Sequence, residues 1–116
     1  MSDKSDDSSP VICDLGSAIT QTENQVTDRL CGTFDYMAPE NFEFKPYTPE
    51  SDVWSLGILT YALVTGNRFP FPCLRRNDTI KKSKVLNHAS LLQQTPLDFS
   101  GKEWTDISED LIDLIS

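Results

Sequence analysis

One long apolar stretch dominates the pattern of hydrophobic and polar positions along the chain. Thr48 followed by Pro49 is typical of a helix N-cap with proline at the first helical position, and Gly66 marks the end. The positions between them leave almost no polar face: Val53, Trp54, Leu56, Ile58, Leu59, Tyr61, Ala62, Leu63 and Val64. A helix that is apolar all round is a buried one, so the pattern predicts a buried central helix over about 49–65.

The chain before this helix is mostly polar. Residues 11–13 form a short apolar run that predicts a strand ending at Gly16. Residues 17–30 follow no hydrophobic period and predict a long loop. Residues 1–10 contain no apolar residue after Met1, so they predict a disordered acidic tail.

Two weaker helices are predicted within residues 79–116. One helical face of the first carries Val85, Leu86, Ala89 and Leu92. Ser108 can cap the second, which carries Leu111, Ile112 and Ile115. The predicted fold is therefore mainly α.

Charge and composition narrow the classes of partner. The 116 residues carry a formal net charge of -8, which repels phosphate backbones and anionic lipid and argues against nucleic-acid or membrane-surface binding. One cluster of basic residues departs from this acidic character. It is either a solvated helix face or a docking patch for an acidic partner. It comprises Arg75, Arg76, Lys81, Lys82 and Lys84.

Cysteine usage and hydropathy indicate a soluble protein of the cytoplasm. The three cysteines form no C-x-x-C pair, and nothing at the N-terminus resembles a signal peptide. The apolar run from Val53 to Val64 falls short of the ~20 residues that a membrane helix needs. We therefore expect a reduced, intracellular protein without a membrane span.

Three sequence stretches occur together in a recognisable order: "DLG" at 14–16, "GTFDYMAPE" at 32–40 and "SDVWSLGILTYALVTG" at 51–66. Together they resemble the eukaryotic protein kinase catalytic domain of the serine/threonine type. The resemblance implies a partial C-terminal lobe over residues 11–116, with an activation segment at 14–40. Its implied elements are a short strand, a long activation loop, a buried central helix and two weaker helices.

The resemblance also implies roles for individual residues. Asp14 would bind the Mg²⁺ that bridges the phosphates of ATP, and Thr33 would contact the catalytic base. Leu15 stands where the family usually has Phe, and it is still apolar. Taken alone, Asp14 also fits an ordinary turn aspartate. The implied substrate-docking loop consists of Gly32, Thr33, Phe34, Tyr36 and Met37.

Several parts that phosphoryl transfer requires are not found in these residues. A kinase needs a Gly-rich loop, a strand lysine and an H-R-D-x-x-x-x-N loop. The sequence has no G-x-G, and the residues before Asp14 include no His and no Asn. We therefore do not expect this chain alone to bind Mg²⁺ and ATP or to be active.

Four residues have an expected structural role. In the family, Glu40 pairs with a downstream arginine and Asp52 accepts hydrogen bonds from the H-R-D backbone. Trp54 and Leu56 are expected in the core whatever the function. A buried ion pair that loses one partner costs ~3–5 kcal/mol. The sequence therefore predicts that the isolated chain is unfolded, molten or prone to aggregate.

Regulation is suggested at one position. Many related kinases carry a phosphorylated threonine where this sequence has Arg29. Three alternatives follow: the loop is not switched in this way, nearby Thr27 takes the phosphate, or Asp28 supplies a fixed charge. Thr27 is the favoured phosphosite.

Two functions are compatible with these features. The first is a fragment of an ATP- and Mg²⁺-dependent serine/threonine protein kinase, from an incomplete gene model or a truncated transcript. The alternative is a non-catalytic, kinase-derived scaffold or decoy that binds proteins through the docking loop and the basic cluster.

Overall fold

The computed structural model describes residues 9–20, 30–71 and 82–116. These residues are mainly helical, which confirms the predicted mainly α fold class. Four α-helices follow one another, with no strand among the described residues: α1 (Pro39–Phe42), α2 (Pro49–Val64), α3 (Lys82–Gln94) and α4 (Glu109–Ile115). Short 3-10 turns lie at Leu15–Ser17, Phe34–Tyr36 and Lys102–Trp104. No helix in these ranges is long and apolar enough to cross a membrane.

Helix α2 begins and ends at residues whose chemistry explains both limits. Thr48 is the N-cap and Pro49 the first helical residue, and the Thr48 backbone N–H donates to Ser51 Oγ at 3.5 Å. At the other end Thr65 caps the helix, and Gly66 takes a φ of 69°. This left-handed conformation costs a glycine little, which lets the chain turn away after one cap residue.

The main core lies where α1 packs against α3. Phe42 of α1 is fully buried, and so is Val85 of α3. The buried cluster consists of Met37, Phe42, Val85, Ala89 and Leu92. Trp54 of α2 is half-buried against this cluster and stacks on Phe71, with ring centroids 5.6 Å apart. The core therefore joins α1, α3 and one side of α2.

A second, aromatic cluster joins α2 to the segment before α4. The rings of Tyr61 and Trp104 lie 5.1 Å apart, and Phe99 meets Trp104 edge to face at 4.8 Å. The Tyr61 hydroxyl donates to the Asp98 carbonyl at 2.7 Å. This cluster anchors the C-terminal part of the chain on α2.

The prediction that the central helix is buried is wrong for one of its sides. Ile58, Tyr61 and Ala62 are buried, but Val53 is 67% exposed, Leu56 61% and Leu63 74%. Leu56 was also expected in the core. The core and the aromatic cluster cover one side of α2. The opposite side is exposed because the described segments provide no further apolar surface to pack against it.

Two further predictions are corrected by the structure. Residues 11–13 form no strand and are exposed, because no described segment offers them an edge with which to pair. The position of His88 on the polar helix after the basic cluster predicts a surface residue rather than a ligand or a base, yet only 7% of it is exposed. Its ring meets Phe42 edge to face at 4.9 Å, on the same face of α3 as Val85 and Leu92.

Candidate functional site

The predicted docking loop, residues 32–37, turns sharply and then enters the core. Gly32 has a φ of 110°, a conformation that side chains rarely tolerate. Thr33 is extended and exposed, and its carbonyl accepts the Tyr36 N–H at 3.1 Å. Met37 is 6% exposed and belongs to the main core. The loop thus presents Thr33 to solvent while its far end is fixed.

Contacts with α2 and its neighbours fix the loop further. Ser55 of α2 donates its hydroxyl to the Tyr36 carbonyl at 2.8 Å. The Tyr36 ring meets Phe69 edge to face at 5.3 Å. Phe34 packs in the same way on Phe42, at 5.8 Å. The aromatic residues of the loop are therefore structural anchors.

A cavity of about 380 Å³ opens beside the loop and the first turns of α2. Thr33 and Tyr36 of the loop line it, and so do Asp52 and Ser55 of α2. Residues 17–19 also line it. The structure therefore brings together Thr33 and Asp52, two residues that the sequence singled out separately.

Asp14 lies outside the set that lines this cavity. It is exposed, has a φ of 60° and a ψ of 65°, and precedes the 3-10 turn Leu15–Ser17. Within the described ranges no group of three or more His, Cys, Asp or Glu side chains could hold a metal ion. Mg²⁺ in phosphoryl-transfer sites is bound by one or two carboxylates plus phosphates and waters, so Asp14 fits as one ligand of such a site.

Glu40 and Ser51 form a polar link between α1 and α2 that the sequence did not reveal. Ser51 Oγ donates to Glu40 Oε1 at 2.9 Å, and Asn41 Nδ2 donates to Ser51 Oγ at 3.4 Å. Ser51 and Asn41 are both buried. Since the partners are ten or more residues apart, only the fold brings them together.

His88 and Asp35 are two further polar residues that the sequence did not bring together, and both line one small pocket. Burial lowers the pKa of His88, and the nearby negative charge of Asp35 opposes that shift. Asp35 Oδ1 is buried and has no hydrogen-bond partner among the described residues. One signal could have placed His88: it lies three residues after Val85 and four before Leu92, which is the spacing of a single helical face.

The remaining predicted residues lie largely outside the described ranges. Thr27, Arg75, Arg76 and Lys81 belong to segments that the structure does not describe. Lys82 is the first residue of α3, and Lys84 is exposed on the same helix.

Comparison with known proteins identifies the protein family to which the chain belongs. A family model described as "Protein kinase domain" matches residues 1–116. The chain therefore belongs to the protein kinase family, and serine/threonine kinases are among its relatives.

Three relatives illustrate the similarity. A probable myosin light chain kinase of Dictyostelium discoideum is 30% identical over 105 residues, which is 90% of this chain and 30% of the relative. The human calcium/calmodulin-dependent protein kinase type 1B is 34% identical over 110 residues, 95% of this chain and 29% of the relative. An Aurora kinase of Candida glabrata is 36% identical over 105 residues, which is 90% of this chain and 25% of the relative. The chain thus spans less than a third of the length of these relatives.

Proposed function

We propose that these residues are the activation segment and the following helices of a serine/threonine protein kinase that transfers a phosphoryl group from ATP to proteins of the cytoplasm. The observation that carries this proposal is the cavity shared by Thr33 and Asp52. By the family resemblance, Thr33 contacts the catalytic base and Asp52 binds the backbone of the H-R-D loop. Both residues line the same space, so we assign this cavity as the place where the catalytic loop docks.

The role proposed for each residue follows from whether its side chain is exposed and whether it lines the cavity. Thr33 is exposed at the cavity, where it can orient the base, and the loop around it receives the residue that follows the phosphoacceptor. Asp14 is exposed and does not line the cavity, and it is proposed as the residue that would hold Mg²⁺. Mg²⁺ held there would supply positive charge to the phosphates of ATP. The exposed side of α2 is covered by the remainder of the catalytic domain.

These 116 residues are proposed to require the rest of a catalytic domain for activity. The Gly-rich loop, the strand lysine and the H-R-D loop supply the nucleotide site and the base, and none is found in this sequence. In the complete enzyme, Lys84 and the basic residues around it are proposed to dock acidic partners; a solvated helix face is the alternative.

The test is a chimera in which this chain replaces the matching segment of human calcium/calmodulin-dependent protein kinase type 1B. The chimera is expected to phosphorylate a serine or threonine peptide with calcium and calmodulin present. Asp14→Asn is expected to lower kcat about a thousandfold, since loss of a metal ligand removes several kcal/mol of transition-state stabilisation. Asp106→Asn is the matched control, because Asp106 is also exposed and lies far along the chain in the turn before α4.

The outcomes separate the two functions. Activity that depends on Asp14 but not on Asp106 supports the kinase. A chimera that unfolds cooperatively and binds ATP yet transfers no phosphate refutes it and favours the non-catalytic scaffold. Equal activity of the Asp14→Asn variant and the unmodified chimera removes the proposed metal role.

A further inference from the structure

The Tyr47 hydroxyl forms two hydrogen bonds with the backbone of a single residue. It accepts the Cys31 N–H at 3.0 Å and donates to the Cys31 carbonyl at 3.2 Å. The two residues are 16 positions apart in the chain. A phenolic hydroxyl can donate and accept at the same time, so one side chain satisfies both backbone groups.

The positions of the two residues give this contact its significance. Cys31 immediately precedes Gly32 and Thr33, the first residues of the docking loop. Tyr47 immediately precedes Thr48, the N-cap of α2. The hydroxyl therefore ties the start of the docking loop to the start of α2.

A second contact holds the other end of the loop to the same helix. Ser55 of α2 donates to the Tyr36 carbonyl at 2.8 Å. Tyr47 and Ser55 thus hold the loop at two points on either side of Thr33, and all three residues line the cavity. Gly32, with its φ of 110°, lies between the two attachments.

We propose that Tyr47 is a positioning residue for peptide recognition: its hydroxyl holds Cys31 and Gly32 so that the docking loop meets the residue after the phosphoacceptor in one conformation. This proposal rests on the proposed kinase function. Tyr47 does not touch the reacting atoms and acts through the loop backbone. Its loss is therefore expected to weaken peptide binding while the chemical step remains intact.

The test is Tyr47→Phe in the chimera described above, because this change removes the hydroxyl and keeps the ring. The KM for a peptide substrate is expected to rise about fivefold, the effect of losing two solvent-exposed hydrogen bonds, with kcat and the KM for ATP unchanged. Discrimination between peptides that differ only in the residue after the phosphoacceptor is expected to fall by a similar factor.

Tyr61→Phe is the matched control. It also removes one tyrosine hydroxyl that makes a hydrogen bond, here to the Asp98 carbonyl, at a site in the aromatic cluster. It is expected to lower the melting temperature without changing the KM for peptide. A Tyr47→Phe variant whose peptide KM is unchanged, or changes only as much as that of Tyr61→Phe, overturns the proposal.

A second readout separates this proposal from the kinase function. If the unmodified chimera transfers no phosphate, the kinase function fails and hydrogen exchange tests the contact itself. Tyr47→Phe is then expected to speed exchange of the Cys31 amide at least about fivefold, because its acceptor is removed. Unchanged exchange in that variant refutes the link between Tyr47 and the loop.

Discussion

The exposed side of α2 leads to a prediction about the isolated chain. Four apolar side chains lie on this side: Val53, Leu56, Leu59 and Leu63, with exposures of 67%, 61%, 42% and 74%. Monomeric proteins rarely expose contiguous apolar patches of this kind. We therefore expect the isolated 116-residue chain to self-associate or to aggregate.

The magnitude follows from the exposed fractions. Together they amount to about two and a half fully exposed side chains, each worth ~1.5–3 kcal/mol on burial, so covering the patch yields about 4–7 kcal/mol. A small domain is stable by only ~5–15 kcal/mol. The free energy available from association is therefore comparable with the stability of the folded chain itself.

The assay compares the purified chain with two double variants by analytical ultracentrifugation and thermal unfolding. Leu56→Gln with Leu63→Gln removes apolar surface from the exposed side of α2, and it is expected to reduce association. Leu91→Gln with Leu114→Gln makes the same chemical change at exposed positions of α3 and α4, and it is expected to leave association unchanged. Gln and Leu have similar helix propensities, so neither pair alters helix formation greatly.

One result would refute the reasoning. If the unmodified chain sediments as a single monomeric species and unfolds in one cooperative transition, the patch does not drive association. The reasoning is also refuted if both double variants change association equally, because the change would then not be specific to the exposed side of α2.

Two further predictions concern regulation and pH. Thr27 lies outside the described residues. In the complete kinase taken from active cells, mass spectrometry is expected to find phosphate on Thr27, and Thr27→Ala is expected to lower activity. An unmodified Thr27 together with a fully active Thr27→Ala variant would contradict this prediction. Because burial lowers the pKa of His88, the unfolded chain binds the proton more readily than the folded one. The stability of the chimera is therefore expected to fall as the pH decreases below about 6.5; His88→Phe should reduce this fall, and an identical pH profile for both proteins would contradict it.

The limits of α2 could be predicted from the sequence, but its orientation could not. Thr48, Pro49 and Gly66 act through local backbone chemistry, which depends only on neighbouring residues. The side that faces the core depends on which segments pack there. Since α2 is apolar all round, its pattern contained no preferred face from which burial could be inferred.

The docking loop shows the same limit at the level of single contacts. The motif at residues 32–40 identified the loop, yet the groups that hold it are distant in sequence: Tyr47 for Cys31 and Ser55 for Tyr36. Hydroxyl groups carry no periodic signal, so no pattern singled them out. His88 differs, because its spacing from Val85 and Leu92 did contain the information that it is buried.

The register of α2 connects these observations to the proposed function. Ser51 and Ser55 are one helical turn apart and therefore share a face, from which they reach Glu40 and the docking loop. Asp52 is rotated by about 100° from Ser51, so it remains exposed at the cavity. A shift of one residue in the register of α2 would rotate its side chains by about 100° and would lose either the attachment of the loop or the carboxylate at the cavity. The Thr48 cap, a local feature of the sequence, therefore sets the geometry on which the proposed docking of the catalytic loop depends.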